Sequence, residues 1–319
     1  MKKPSSVYQN PYLPKREKRG RAFLSKLGWL ILIVFIIAII GFLLFQLQWF
    51  RIRNAYESQI MDQSVSISSQ SMVAIQNQTP IQILVIGYNQ NANQIENHLI
   101  QTYAIKPDEE AILAIEFSPD LLIDINDHPS IPMKEALVQS DYADIQSEVE
   151  TLIDSSIDYF FAINFSTISP LVDYLGGINI APYETIQIND RMLEANETYV
   201  LKGDEVNQFL QRSVNETTIE YLNKEKLVFN GLCDAIFSQN HFFNAPTMIE
   251  LAGQSIQTNL PINYWRQIFE EGSLVENYSL TTLLFQGITM IENNVTFEII
   301  DENKQVEIQN QVRRFLENE

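Results

Sequence analysis

Hydrophobic positions in this chain form two different patterns, and the first is one unbroken apolar run. Residues 27–47 (LGWLILIVFIIAIIGFLLFQL) are 21 consecutive residues without a charge. A run of this length is enough to span a bilayer, whereas helices of globular proteins seldom stay apolar on every face over so many residues. We therefore predict one transmembrane helix over residues 27–47.

The second pattern begins near residue 80, where short apolar runs alternate with longer segments of helical period. The predicted strands are residues 81–86, 111–117, 121–125, 159–163, 178–180, 279–286 and 295–300. The predicted helices are residues 133–153, 168–175, 203–212, 218–238, 246–256, 262–270 and 303–316. Residues 87–91 are expected to form the turn that ends the first strand. The alternation predicts an α/β domain, an α-β-α sandwich around a mixed central sheet, preceded by one transmembrane helix.

Charge divides the chain in the same place as hydropathy. The whole chain has 319 residues and a formal net charge of −19, but residues 1–26 carry eight Lys or Arg and one acidic residue. Residues 55–319 carry eleven basic and 39 acidic residues, a net charge of −28. A basic flank orients a transmembrane helix with that side in the cytoplasm. We therefore predict a cell-membrane protein with a cytoplasmic N-terminus and an extracytoplasmic body.

These patterns divide the chain into four parts. They are a basic cytoplasmic tail (residues 1–26), a transmembrane helix (27–47), a stalk or linker (48–79) and an extracytoplasmic domain (80–319). The stalk is rich in Ser and Gln, which is typical of a spacer or a short amphipathic helix.

Composition excludes several classes of function. A body of this negative charge repels phosphate backbones, so we expect no nucleic-acid partner. The single cysteine, Cys233, cannot form an intrachain disulfide. The three histidines are scattered and no Cys/His cluster has zinc spacing, so we expect no metal site of that kind.

One motif in the middle of the chain resembles a known family. Residues 171–178 (LVDYLGGI), preceded by the apolar run 157–163, resemble the central signature of the LytR-CpsA-Psr family of bacterial cell-envelope proteins. Residues 82–87 (QILVIG) resemble the opening strand of that family, and residues 201–209 (LKGDEVNQF) resemble the start of one of its helices. The resemblance extends over residues 80–240.

The resemblance implies a function in cell-wall biogenesis. Members with this layout transfer undecaprenyl-pyrophosphate-linked polymers, such as teichoic acids or capsule, onto peptidoglycan outside the membrane. That chemistry needs arginines that clamp the pyrophosphate and carboxylates that hold Mg²⁺ on it.

Most of the motif positions implied by the family carry other residues here. Asn89 stands where the family has aspartate, and Glu96 and His98 fall on the ends of its Arg-Ser-Asp motif. Pro119 replaces the arginine of Ser-Ile-Pro-Arg-Asp, while Asp120 is retained.

The downstream motifs have changed in the same way. Gln211 and Ser213 occupy the arginines of Arg-x-Arg, with Arg212 between them. Tyr221 and Lys224 fall on the two arginines of Arg-x-x-Arg-Gln, and Glu225 follows at the glutamine. No catalytic residue is therefore assigned, and Asp120, Arg212 and Lys224 remain as candidates.

Two main functions stay open from the sequence. The leading hypothesis is a catalytically impaired member, a pseudoenzyme without a cofactor, which binds a polyprenyl (pyro)phosphate lipid, a cell-wall glycopolymer or an active paralogue. The alternative is a working Mg²⁺-dependent phosphotransferase that uses Asp120, Arg212 and Lys224. An envelope sensor is a third possibility, although the sequence shows no helix pair of the DNA-binding kind.

Overall fold

The computed structural model describes residues 41–61, 80–91, 94–125, 130–213, 216–237, 245–261, 278–292 and 295–317. The predicted tail, the first part of the predicted transmembrane helix, residues 62–79 of the stalk and the predicted helix 262–270 lie outside these ranges. Among the described residues, no helix is both long enough and apolar enough to cross a membrane.

Within the described ranges, all fourteen strands lie between residues 80 and 300. They are β1 Ile81–Asn91, β2 Gln94–Lys106, β3 Ala111–Phe117, β4 Leu122–Ile123, β5 Ile131–Pro132, β6 Tyr159–Asn164, β7 Ile178–Ile180, β8 Ile186–Ile188, β9 Arg191–Leu193, β10 Tyr199–Leu201, β11 Ile256–Thr258, β12 Ser279–Phe285, β13 Ile288–Glu292 and β14 Val295–Ile299.

The helices fall between and after these strands. They are α1 (residues 41–59), α2 Ala136–Gln139, α3 Tyr142–Ile153, α4 Ser169–Tyr174, α5 Gly203–Phe209, α6 Thr218–Phe237, α7 Ala245–Ala252 and α8 Glu302–Glu317. Single turns of 3₁₀-helix occur at Pro107–Glu109, Met133–Glu135 and Phe165–Thr167.

A six-stranded mixed sheet forms the centre of the domain, as the sequence predicted. Its strand order is β11-β6-β1-β2-β3-β12. The pairs β1–β6 and β3–β12 are parallel, and the other pairs are antiparallel. The carboxyl ends of β1, β3, β6 and β12 therefore meet at one edge of the sheet, where open α/β sheets place their ligands.

Helices cover both faces of this sheet. Successive side chains of a strand point to opposite faces, so both faces carry apolar residues that need to be covered. On one face, Leu84 and Ile86 of β1 join a core that includes Ile145 of α3 and Ile308 of α8. On the other face, α6 packs on β2, and it also contacts β7 of the separate two-stranded β7–β10 sheet. The domain is thus an α-β-α sandwich.

The first strand is longer than predicted. Residues 87–91 continue β1 and pair with β2, where we had expected a turn, and β2 itself was not predicted. Gly87 is required by close packing and not by a turn. A Cβ atom at this position would lie 2.6 Å from Phe165 and 2.8 Å from Leu99.

The predicted helix 133–153 is interrupted. Ser140 has extended backbone geometry and ends α2. Asp141 then caps α3, since its side chain accepts hydrogen bonds from the backbone N–H groups of Ala143 and Asp144. A capping aspartate inside an apolar period marks a new helix start that the periodicity alone does not show.

The predicted strand 121–125 is reduced to two residues outside the central sheet. Leu122–Ile123 pair only with Ile131–Pro132. The predicted helix 246–256 ends at Ala252, and its last predicted residue instead begins the edge strand β11.

The end of α1 packs against the domain. Ile52, Tyr56 and Ile60 lie on one helical face and are each less than 10% exposed. The Tyr56 hydroxyl donates a hydrogen bond of 2.6 Å to the carbonyl oxygen of Leu260. Residues 52–61, which we expected to be linker, therefore belong to the compact unit Ile52–Glu319.

Candidate functional site

Polar side chains converge where the β1–β2 hairpin meets the first half of α6. The Asn89 Nδ2 atom donates a hydrogen bond of 2.6 Å to Glu225 Oε1. The His98 Nδ1 atom lies 3.3 Å from the same carboxylate oxygen, and both of these side chains are fully buried. The rings of His98 and Tyr221 meet edge to face at 4.9 Å. We call Asn89, His98, Tyr221 and Glu225 the carboxylate cluster.

A β-bulge explains how His98 reaches this cluster. Gly87 pairs with Leu99 and Tyr88 pairs with Asn97, so His98 is an extra residue without a partner on β1. Strict alternation from Leu99 would direct His98 to the opposite face of the sheet. The bulge changes the direction of the side chain and lets it contact α6.

Helix α6 contributes the acidic member of the cluster. Tyr221 and Glu225 are four residues apart and therefore share one helical face with the buried Val228 and Leu232. A carboxylate in such an apolar stripe must be hydrogen-bonded or paired to be tolerated. Asn89 and His98 supply those contacts from the sheet.

The lysine next to Glu225 is held in a second buried ion pair. Lys224 Nζ lies 2.6 Å from Glu216 Oε1, and the two side chains are only 9% and 4% exposed. The same ammonium group donates to the carbonyl oxygen of Gln211 at 3.4 Å. Lys224 is therefore at the site, but a carboxylate already neutralises its charge.

Arg212 lies beside the same helix. Its guanidinium carbon is 5.7 Å from the centre of the Tyr221 ring, and Nη2 donates to Thr218 Oγ1 at 3.5 Å. The residue is exposed, which makes it the predicted site cation most accessible to solvent. Its neighbour Ser213 donates a backbone hydrogen bond to Glu216 Oε2 at 2.9 Å.

A further ion pair joins α6 to β3. Lys226 Nζ lies 2.7 Å from Glu116 Oε1. Nearby on the same face of the sheet, the Tyr103 hydroxyl donates to Gln101 Oε1 at 2.6 Å. The pKa of Tyr103 is raised well above its usual value by burial, and secondarily by Cys233 and Glu116.

Cys233 is not a candidate nucleophile. Burial, with a smaller contribution from the charge of Asp234, raises the pKa of Cys233 to about 12. The thiol therefore stays protonated at neutral pH, and only the thiolate is strongly nucleophilic.

Asp120 lies at the same edge of the sheet but in a separate ion pair. Lys134 Nζ is 2.6 Å from Asp120 Oδ1, and the Lys134 backbone N–H donates to the carbonyl oxygen of Pro119 at 2.8 Å. The backbone of Asp120 also accepts a hydrogen bond from Glu298 of β14. The retained aspartate is thus bound to a lysine that the motif comparison did not single out.

The structure gathers six of the predicted positions and leaves others apart. Those that meet around the first half of α6 are Asn89, His98, Gln211, Arg212, Tyr221 and Lys224. Pro119 and Asp120 form the separate pair with Lys134. Glu96 lies opposite Asn89 in the strand register, and its side chain is outside the described residues.

The sequence did not indicate that three charged residues of the site form ion pairs. They are Glu216, Lys226 and Lys134. For Lys226, the signal is the run Lys224-Glu225-Lys226 in a helix that packs on the domain. Successive helical residues point about 100° apart, so a packed helix cannot present all three to water. At least one had to be buried with a partner.

The arrangement is rich in carboxylates that already have cationic or amide partners. Across the described ranges, no group of three or more His, Cys, Asp or Glu side chains is placed to hold a metal ion. Beside α6, Lys224 and Glu216 neutralise each other, and the carboxylate of Glu225 is buried.

Comparison with known sequences and structures assigns the fold to one family. The sequence profile described as the LytR_cpsA_psr family matches residues 45–314. A search of curated proteins found no match.

Several solved structures have the same fold at low sequence identity. A transcriptional regulator from Enterococcus faecalis has a TM-score of 0.62 at 17% identity, over 76% of this chain and 90% of that chain. The crystal structure of B. subtilis TagV has a TM-score of 0.61 at 15% identity, over 75% of this chain and 98% of that chain. TagT bound to LI-WTA has a TM-score of 0.59 at 15% identity, over 76% of this chain and 92% of that chain.

Proposed function

This chain belongs to the LytR-CpsA-Psr family, which is involved in cell-wall glycopolymer attachment. On that premise we propose that it binds an envelope ligand or a protein partner and does not catalyse polymer transfer. The proposed ligand is a polyprenyl-linked envelope glycopolymer or its lipid, and the proposed protein partner is an active paralogue. The proposed role is an accessory one in envelope polymer assembly.

The carboxylate cluster is the observation that carries this proposal. Asn89 and His98 stand at positions where the family resemblance implies aspartates, so the strands have lost two acidic groups that would hold Mg²⁺. Helix α6 has gained one instead, because Glu225 is buried between them. The carboxylate now lies on the side where the family resemblance places arginines and glutamine, and there it repels a pyrophosphate.

The remaining cations are poorly available for a phosphate. Lys224 would have to leave Glu216, and Lys134 would have to leave Asp120. For the buried Lys224–Glu216 pair, removing one partner costs about 3–5 kcal/mol, which is more than the about 1.5–3 kcal/mol that a charge-assisted hydrogen bond contributes. The Lys134–Asp120 pair is only partly buried. Arg212 alone cannot replace a set of bidentate arginine contacts.

The lipid part of the proposal rests on the structural comparison. TagT has been solved bound to LI-WTA, and this chain shares its fold over 76% of the residues. An apolar slot for a polyprenyl chain needs no catalytic charge. Binding of the lipid therefore remains compatible with the loss of transfer chemistry.

We expect the purified chain to show no Mg²⁺-dependent release or transfer from a lipid-pyrophosphate substrate above a buffer control. TagT, assayed in parallel, serves as the reference for an assay of this kind. Asp120→Ala should leave the signal unchanged, as should Asp154→Ala, a control at an exposed aspartate in the ion pair with Arg313. Turnover that Asp120→Ala abolishes and Asp154→Ala preserves would contradict the proposal and establish a transferase that uses Asp120, Arg212 and Lys224.

We also propose a single-pass membrane location with the domain outside the cell. The eight basic residues before residue 27 and the apolar run after it support this orientation. Residues 41–50 of α1 add to that support, because Phe42, Leu44 and Phe50 are each at least 60% exposed. Side chains of this kind on several faces of a helix are suited to lipid.

Protease accessibility tests this location. Protease added to intact protoplasts should digest the domain and leave a tag at residue 1 protected. After lysis the tag should be digested as well, which controls for its intrinsic resistance. Protection of the domain together with cleavage of the tag in intact protoplasts would reverse the proposed orientation.

A further inference from the structure

Strand β12 is the last strand of the central sheet, and its outer edge lacks the features that usually prevent edge-to-edge pairing. It pairs in parallel with β3 on one side, and within the described ranges no strand pairs with its other side. Its sequence, SLTTLLF, contains no charge and no proline. Natural edge strands usually carry charges, prolines or bulges, because a bare edge is a template for pairing with another strand.

The exposed face of β12 is apolar and regularly spaced. Leu280 is 61% exposed and Leu284 is 42% exposed, and Thr282 lies exposed between them. These residues share one face because strand side chains alternate. The other face is used inside the domain, where Phe285 is fully buried in the core.

This spacing makes the strand complementary to itself. In an antiparallel pair of two β12 strands with the two-fold axis at Thr282, Leu280 of each copy stands opposite Leu284 of the other. Both leucines are then covered, and the two threonines meet at the axis. Directly opposite residues in antiparallel strands are the pairs that stabilise a sheet.

We propose that β12 pairs antiparallel with β12 of a second copy of this chain, with Thr282 at the two-fold axis. The contact joins the two six-stranded sheets into one, and it is isologous, as closed symmetric dimers require.

Charge permits a second copy at this surface more readily than elsewhere on the domain. Residues 55–319 carry a net charge of −28, so two copies repel each other over most of their surfaces. The β12 edge has no charge and avoids that repulsion. The following hairpin also presents apolar cross-strand pairs, Ile288 with Ile299 and Met290 with Phe297.

The same segment is poorly suited to a bilayer surface. Residues 279–299 contain no Lys, Arg or Trp and include Glu292 and Glu298. Protein surfaces that rest on membranes usually combine apolar residues with basic residues. A second copy is therefore the occupant that the composition favours.

Disulfide trapping tests both the contact and its register. The full-length chain in its membrane, with Cys233→Ser in every variant, receives Thr282→Cys. At the axis the two Cα atoms would lie about 4.5–5.5 Å apart, within the range that a disulfide bridges. We expect mild oxidation to convert most of this variant to a covalent dimer on a non-reducing gel.

Two matched variants control for random collisions. Val200→Cys places a thiol on another exposed strand residue, 50% exposed, and should give little dimer. Leu280→Cys should also give little, since its symmetry mate would lie about 14 Å away, four residues along the strand. Co-expressed Leu280→Cys and Leu284→Cys chains should cross-link to each other.

Mass measurement provides a second readout. The detergent-solubilised chain should have the mass of a dimer by multi-angle light scattering, and Leu280→Lys should convert it to a monomer. Thr282→Cys cross-linking no stronger than Val200→Cys, or a monomer mass for the parent chain, would overturn the proposal. Equal cross-linking at residues 280 and 282 would contradict the proposed register.

Discussion

Replacing Glu225 with methionine is expected to lower the free energy of unfolding of residues 52–319 by about 3–5 kcal/mol. The substitution keeps an apolar side chain of similar length on α6 but leaves the Asn89 amide and His98 without the carboxylate that they contact. The cost arises because these buried polar groups then have no hydrogen-bond partner, and water does not reach them to take its place. Urea unfolding followed by circular dichroism measures the change.

A control on the same helix separates burial from helix propensity. Asp234→Met removes an exposed carboxylate from α6 and should change the free energy of unfolding by less than about 0.5 kcal/mol. The two substitutions differ in whether the carboxylate is buried.

A triple variant tests the reason for the loss. Adding Asn89→Leu and His98→Leu to Glu225→Met removes all the polar groups of this contact together. Most of the lost stability should then return, because replacing every partner of a buried polar contact is far less costly than removing one. A triple variant as unstable as the sum of its single variants would show that the three residues do not act as one cluster.

The general architecture was predictable because it depends on patterns within short segments. The apolar runs at 111–117 and 159–163 predicted β3 and β6 closely, and the long amphipathic segment 218–238 predicted α6 to within one residue. The mixed sheet with helices on both faces is confirmed. These elements depend mainly on which residues are apolar.

The errors occur where a distant contact determines the local structure. Gly87 looked like a turn residue, but Phe165 and Leu99 approach it too closely for any Cβ atom. Strand β2 alternates apolar and polar residues only in part, since the bulge at His98 changes its phase. Neither neighbour is visible in the sequence around residue 87.

The structure brings together several positions that the family resemblance singled out, but their pairing could not be predicted from the sequence. The family resemblance identified the positions of Asn89, His98, Tyr221 and Lys224, and the structure brings them together. The partner of Lys224 is Glu216, which lies just before the start of α6, and the partner of Asp120 is Lys134. Ion pairs between elements depend on packing geometry, which a single sequence does not contain.

A lipid ligand tests whether this domain keeps an apolar slot and whether it still recognises phosphate. If the apolar slot of the family is kept, it lacks packing contacts in the empty protein, and an isoprenoid chain restores them. Polyprenyl phosphate at about 100 times its dissociation constant should raise the stability of residues 52–319 by about 2.7 kcal/mol. For a domain of this size that is a rise in Tm of about 5–10 °C, measured by thermal unfolding.

The phosphate head group should contribute little to this stabilisation. Lys224 and Lys134 are neutralised by Glu216 and Asp120, and Glu225 opposes an anion. A neutral polyprenol should therefore raise Tm nearly as much as polyprenyl phosphate does. In TagT, as the reference for this comparison, we expect the charged lipid to give the clearly larger rise. A rise with polyprenyl phosphate alone would show that this chain still recognises the phosphate, and no rise with either lipid would leave protein binding as the remaining function for the fold.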